Sequence, residues 1–238
     1  MAASSTNRQK IARATLSTRI SEQLRDEILS GVFLVGAQLN EMQTARDFGV
    51  SRGPLREAIQ RLIQEGLLRS EPNRGVFVPE LFEEDLLDIF FVRTTLENSA
   101  AQRILLQGDR RKVSQALTDI ANRMHLAVSA GNWHEGSELD FEFHRLLVDA
   151  ACSERLSRSY ATVQAETKMC LHKLMGGYRN TKKLAEEHFH LARLIGDASM
   201  EEILAALTEH LRDPTSAYRK ARTALGETSG PRVRDRNS

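Results

Sequence analysis

Residues 50–68 read VSRGPLREAIQRLIQEGLL, and this stretch decides the fold of the front of the chain. Leu55, Ile59, Leu62 and Ile63 recur at helical spacing and form an apolar stripe, while Arg52, Arg56 and Gln60 fall on the opposite side. Ser51 stands where a helix is capped, Pro54 lies in the first turn, where a missing N–H does little harm, and Gly66 ends the helix. Towards the N-terminus, Asn40 caps a short helix EMQTARDF that closes at Gly49. Earlier still, Ile20, Leu24 and Ile28 mark a helix that Gly31 terminates in the left-handed conformation. Towards the C-terminus, LLRSE and VFVPE flank P-N-R-G, whose Asn and Gly suit a tight turn, so a small hairpin or wing follows. Residues 13–79 thus read as helix, helix, short turn, helix and wing.

Beyond Pro79 the sequence offers no strand signal, only amphipathic segments at about 83–107, 110–130, 132–151, 153–175, 181–195 and 199–224, with Pro214 set to kink or end the last. The fold class is mainly α, an all-α helical bundle behind the first unit. Residues 1–12 and the tail 227–238, ETSGPRVRDRNS, carry no apolar face to bury and read as mobile ends. Four stretches result: an arm 1–12, a first domain 13–79, a helical domain 80–226 and a tail 227–238.

With 33 Lys+Arg against 32 Asp+Glu the 238-residue chain has a net charge of only +1, which excludes a uniformly basic coat protein or an acidic disordered one. The charge is unevenly divided: residues 1–79 sum to +3 and residues 80–226 to −3, so any nucleic-acid surface is local and lies in front. Cys152 and Cys170 lack metal-ligand spacing and read as core thiols in a reducing compartment. No apolar run approaches the roughly 18 residues of a membrane span, and the start lacks a secretory signal's apolar segment, which points to a cytoplasmic protein with no membrane partner.

Arg52 and Arg56 lie one turn apart at the start of the second helix of the pair. That is what a recognition helix needs: its first turn enters the major groove, and arginine forks meet guanine O6/N7 or phosphate. The helix start beside Ser51 can hold a backbone phosphate, and Arg74 and Gly75 at the wing tip can approach the minor groove. Two arginines on an exposed helix face can also be merely solvated; the helix-turn-helix-wing order favours DNA.

The run DFGVSRGPLREAIQRLIQEGLL, residues 47–68, followed by RGVFV, residues 74–78, resembles the winged helix-turn-helix of the GntR family of bacterial transcription regulators. The resemblance implies operator contacts from Ser51, Arg52, Gly53, Arg56, Arg74 and Gly75. Two departures stand out: Gly53 replaces a hydroxyl or longer side chain, and Met42 stands where some members carry a DNA-contacting arginine, so operator sequence does not transfer.

In ELDFEFHRLLVDA, residues 138–150, Asp140 and His144 are four apart and share a helix face with Leu147 and Ala151. His188 sits on a stripe with Leu184, Leu191 and Ile195, whereas His190 lies about 200° round the helix, and His210 shares a stripe with Ile203 and Leu207. One carboxylate and three imidazoles can converge; such a set suits Zn, Ni, Mn, Fe or Co and leaves coordination positions open. Taken singly, each histidine also suits a satisfied core position. The spacing resembles the metal-binding version of the FadR-type C-terminal (FCD) domain, a bundle of six or seven helices attached to GntR winged helices. That resemblance implies Asp140, His144, His188 and His210 as ligands of a divalent metal ion; the loop GDASM, residues 196–200, sits about two residues early against the usual pattern, which leaves His190 as the lesser candidate in place of His188. His125, His134 and His172 have no such partners and read as surface or packing residues.

Arg93 falls on the stripe Leu86, Ile89, Arg93, Leu96, Ala100 and needs an anion, because an unpaired buried charge is costly. Its partner is either an internal carboxylate such as Glu97 or Asp140, or the carboxylate of an effector. The family reading is a homodimeric transcription regulator, usually a repressor, whose operator binding responds to a small carboxylate held beside the metal. Phe82, Phe90 and Phe91 serve either an interface or the core. Alternatives are a metal-dependent hydrolase and, among regulators, an acyl-CoA-responsive or a purely metal-responsive protein. The absence of a further general base on the stripes, and a DNA-reading module that hydrolysis leaves unexplained, speak against an enzyme.

Overall fold

The computed structural model describes residues 15–80, 82–174, 181–212 and 215. The expected arm 1–12 and tail 227–238, together with Pro214, lie outside the described residues, as do the side chains of Cys170 and His172. The first unit is built from α1 (Leu16–Leu29), β1 (Gln38–Leu39), α2 (Glu41–Asp47), α3 (Arg52–Gln64), β2 (Arg69–Glu71) and β3 (Gly75–Phe77). Its core gathers Leu24, Leu55, Ile59 and Leu62, each essentially inaccessible to water, a burial worth about 1.5–3 kcal/mol per side chain.

The caps explain the boundaries. Asn40 Oδ1 accepts from the backbone N–H groups of Met42 and Gln43 and starts α2. Ser51 sits at the N-cap of α3 with extended backbone, yet its hydroxyl makes no capping bond. The third helical residue is Pro54, which has no N–H to offer, so the usual partner is missing. The wing turn places Asn73 at φ 60° and Gly75 at φ 106°, the positive values that Asn and Gly tolerate. A third strand joins the hairpin: β1 pairs antiparallel with β3, Gln38 opposite Phe77, so the sheet order is β1-β3-β2. Two residues are too few to show an alternating pattern, and the sequence gives no hint of this strand.

The second unit is a bundle of α4 (Glu83–Gln107), α5 (Arg110–Ser129), α6 (Trp133–Asp149), α7 (Glu154–Leu174), α8 (Thr181–Asp197) and α9 (Met200–His210). The last expected helix, 199–224, ends at His210 in the structure, and most of the remaining stretch lies outside the described residues. Helix α5 packs along α6 and α8, while α4 bridges α6, α7 and α9. The core includes Met124, Phe143, Leu147, Tyr160 and Leu207.

Cys152 departs from expectation: it is exposed and free, at φ 51° in the turn between α6 and α7, rather than a core thiol inside a helix. Phe91 is exposed, whereas Phe82 and Phe90 are half-buried. No described helix is long and apolar enough to cross a membrane.

Candidate metal centre and nucleic-acid interface

Four side chains from three helices meet inside the bundle. On α6, Asp140 and His144 project one turn apart towards the core, above Leu147 and Ala151. On α8, His188 is fully buried on the face that also buries Leu191 and Ile195, while His190 is exposed beside Arg193. On α9, Ser199 and Glu202 cap each other reciprocally, fixing the start of the helix that carries Ile203, Leu207 and His210. The metal-binding reading of Asp140, His144, His188 and His210 therefore has a structural counterpart: one ligand atom from each lies within 4.8 Å of all the others.

The hydrogen bonds of these side chains leave room for a cation. His144 Nδ1 donates to Glu97 Oε2 at 2.7 Å, His188 Nδ1 to the Leu184 carbonyl at 2.7 Å, and His210 Nδ1 to Glu187 Oε2 at 3.1 Å. Ionised carboxylates and carbonyls only accept, so each Nδ1 carries the proton and each Nε2 of a neutral ring keeps its lone pair. Those Nε2 atoms point at one another: His144 to His188 is 3.3 Å and His144 to His210 is 3.2 Å. Asp140 Oδ1, another acceptor, sits 3.0 Å from His188 Nε2 and 3.9 Å from His144 Nε2. Four acceptors converge with no donor between them, an arrangement that calls for a cation at its centre. Ligands about 2.0–2.1 Å from a Zn-sized ion stand about 3.3 Å apart in a tetrahedron, close to the observed nitrogen spacings. The donor set fits a borderline divalent metal.

Glu97, from α4, ties this centre together. Its carboxylate accepts from Arg93 Nε at 2.7 Å, from Tyr160 Oη at 2.9 Å and from His144 Nδ1 at 2.7 Å, all of these groups being buried. Burial alone would raise the Glu97 carboxyl, but the His144 ring and the Arg93 guanidinium outweigh it and hold its pKa down to about 2. Burial, assisted by the charge of Arg93, pushes His144 down to about 4 against the pull of Glu97 and Asp140, which keeps the ring neutral near pH 7. Burial would likewise raise Asp140, yet the neighbouring His188, with His144 and Arg93, keeps it far below the usual carboxylate range. Carboxylates behind ligating histidines fix ring orientation and tautomer. The internal partner of Arg93 is Glu97, with the Phe90 ring 5.3 Å from its guanidinium carbon. Glu97 is foreseeable one turn after Arg93; its bond to His144, 47 residues away, and the hydroxyl of Tyr160 have no signal in the sequence.

The front unit presents the other set. Ser51, Arg52, Gly53 and Arg56 are all exposed at the start of α3, and Arg74 and Gly75 are exposed at the wing tip. A Cβ at Gly53 would meet nothing within 4 Å, so packing does not require glycine there. Arg56 Nε donates to Glu41 Oε2 at 2.9 Å, Arg74 pairs with Glu71, and no ion pair holds Arg52 among the described residues. Met42 is exposed, with its sulfur 3.8 Å from Arg46 Nη2. His125 and His134 are exposed.

Comparison with known proteins places these two units together. Residues 16–78 match the bacterial regulatory proteins of the gntR family, and residues 88–213 match the FCD domain. The chain is 30% identical over 182 residues to the Nta operon transcriptional regulator of Aminobacter aminovorans, covering 76% of this chain and 83% of that one. It is 26% identical over 203 residues to the probable D-xylose utilization operon transcriptional repressor of Paenarthrobacter nicotinovorans, covering 85% and 88%. A solved structure of a transcriptional regulator GntR from Rhodococcus sp. RHA1 superposes with a TM-score of 0.68 at 26% identity, over 90% of this chain and 99% of that one.

Proposed function

We infer the function from one premise: this chain belongs to the GntR family of bacterial regulatory proteins and carries an FCD domain behind its DNA-binding module. It is a DNA-binding transcription regulator and not an enzyme, which sets aside the hydrolase reading. The finer reading is a repressor that binds its operator as a homodimer and responds to a small carboxylate held beside a divalent metal. We divide the work between residues 13–79 for DNA and 80–226 for effector and dimer contacts.

At the front, Arg52 and Arg56 are assigned to bases or phosphates of the major groove, and Arg74 and Gly75 to the minor groove. Ser51, whose hydroxyl is not spent on capping, and Gly53, which leaves the helix start bare, are assigned to a backbone phosphate. In the bundle, Asp140, His144, His188 and His210 are assigned as metal ligands. The observation that carries this is the convergence of three imidazole lone pairs and a carboxylate with no donor among them. A bound metal would supply a Lewis-acid point for an effector carboxylate. Arg93 would contribute through its terminal Nη groups, since its Nε is engaged by Glu97. That engagement also favours a second reading, in which the metal alone is the signal.

Metal content of the purified full chain after loading with Zn, Ni, Mn, Fe or Co should approach one ion per chain and fall sharply in His144→Ala. Full stoichiometry in that variant would refute the ligand assignment. Operator affinity measured with and without chelator, then across a panel of small organic acids, separates the two readings. An affinity set by metal alone selects the second, and one that changes only with an acid selects the first.

A further inference from the structure

The DNA-facing arginines differ in how they are held. Arg52 is open to solvent, whereas Arg56 is tethered by its Nε to Glu41 at 2.9 Å. Glu41 is the first residue of α2, a helix whose start Asn40 fixes through two backbone bonds, so the tether joins the two helices of the helix-turn-helix at a set position. Of the two side chains, Arg56 is 66% exposed and Glu41 33% exposed, so the pair lies on the surface and not in the core. An acid in the first turn of a helix is favourable, and an exposed ion pair adds little to stability. The first accounts for an acid at residue 41, but neither accounts for its pairing with Arg56 on the face that must approach a polyanion.

We propose that Glu41 is a specificity-determining residue of the DNA interface, orienting Arg56 towards a base and turning it away from phosphate. A guanidinium has two edges that can donate a parallel pair of hydrogen bonds, Nε with one Nη and the two Nη groups together. With Nε occupied by Glu41, only the double-Nη edge remains for guanine O6 and N7. The carboxylate also repels a phosphate that comes to the same guanidinium, while the neutral base edge meets no such repulsion. Non-specific binding, which is almost wholly phosphate contact, therefore loses more from Glu41 than operator binding does. The inference rests on the reading of Arg56 as a base-contacting residue.

The test uses the full chain and two duplexes of equal length: the tightest one selected by the wild type from a randomised pool, and a scrambled version of it. In Glu41→Gln, which removes the charge but keeps the shape, the scrambled duplex should bind several-fold tighter. The ratio of selected to scrambled affinity should fall about tenfold, the scale of one bidentate base contact. Glu41→Asp keeps the charge while shortening the reach to Nε; it should leave scrambled binding unchanged and still lose the ratio. In the Arg56→Ala background neither change at residue 41 should alter the ratio further. Equal shifts on both duplexes, or none, in both Glu41 variants would overturn the proposal while leaving the Arg56 reading intact. A wild-type ratio in Arg56→Ala would remove that reading and the proposal together.

Discussion

The polar groups of the bundle and those of the helix-turn-helix face solve opposite problems. Around Glu97 the polar groups of Arg93, His144 and Tyr160 are buried, and each is matched by an oxygen of its carboxylate. At the start of α3 the charges are exposed, and among the described residues Arg52 has no ion-pair partner and the Ser51 hydroxyl makes no capping bond. A buried group must find its partner within the chain, because water cannot replace it. A group that meets a separate molecule gains from staying unfinished. The contrast means that substitutions in the bundle should register first as stability, and those on α3 as binding.

The largest effect should come from Glu97→Gln, which leaves Arg93 buried without its anion and costs about 3–5 kcal/mol of folding free energy. Chemical denaturation of the full chain measures it, and a loss below 1 kcal/mol would show that water reaches the site. Next, Tyr160→Phe removes one donor to a buried carboxylate and should cost about 1.5–3 kcal/mol in the same assay. Arg56→Ala should instead spare thermal stability while operator discrimination drops by about 1–3 kcal/mol, read by competition binding against scrambled duplex. The smallest effects make the sharpest pair. Asn40→Ala loses a working N-cap and should cost about 1 kcal/mol of stability. Ser51→Ala, at a formally equivalent position, should change stability by less than about 0.5 kcal/mol yet weaken DNA binding. If both variants melt alike, the distinction between finished and unfinished caps is lost.

The same contrast governs how much could be read in advance. The stripes of α3, α6, α8 and α9, the glycine stops and the wing turn are local patterns, and the sequence carries them openly. So does the facing of Asp140 and His144, because four residues make one turn of helix. Across helices the sequence is silent. Nothing in it joins Glu97 to His144 or Tyr160, since that contact depends on how α4, α6 and α7 pack. The bare Ser51 hydroxyl follows from Pro54 three residues on, which is visible only when donors are counted one by one. Cys152 misleads for a similar reason: it lies among helical patterns, but it falls at the bend where one helix hands over to the next.

Helix α7 buries Tyr160 in the bundle core and Met169 in the core of the first unit, nine residues and about 13 Å further along the same rod. At Gly66 a Cβ would run into the Glu166 carboxylate, so the end of α3 lies directly against that rod. A boundary near residue 80 is thus a division of the chain but not of the solid. Severing the chain there would strip the front piece of part of its lining, and a lengthwise slide of α7 would be felt at both of its ends.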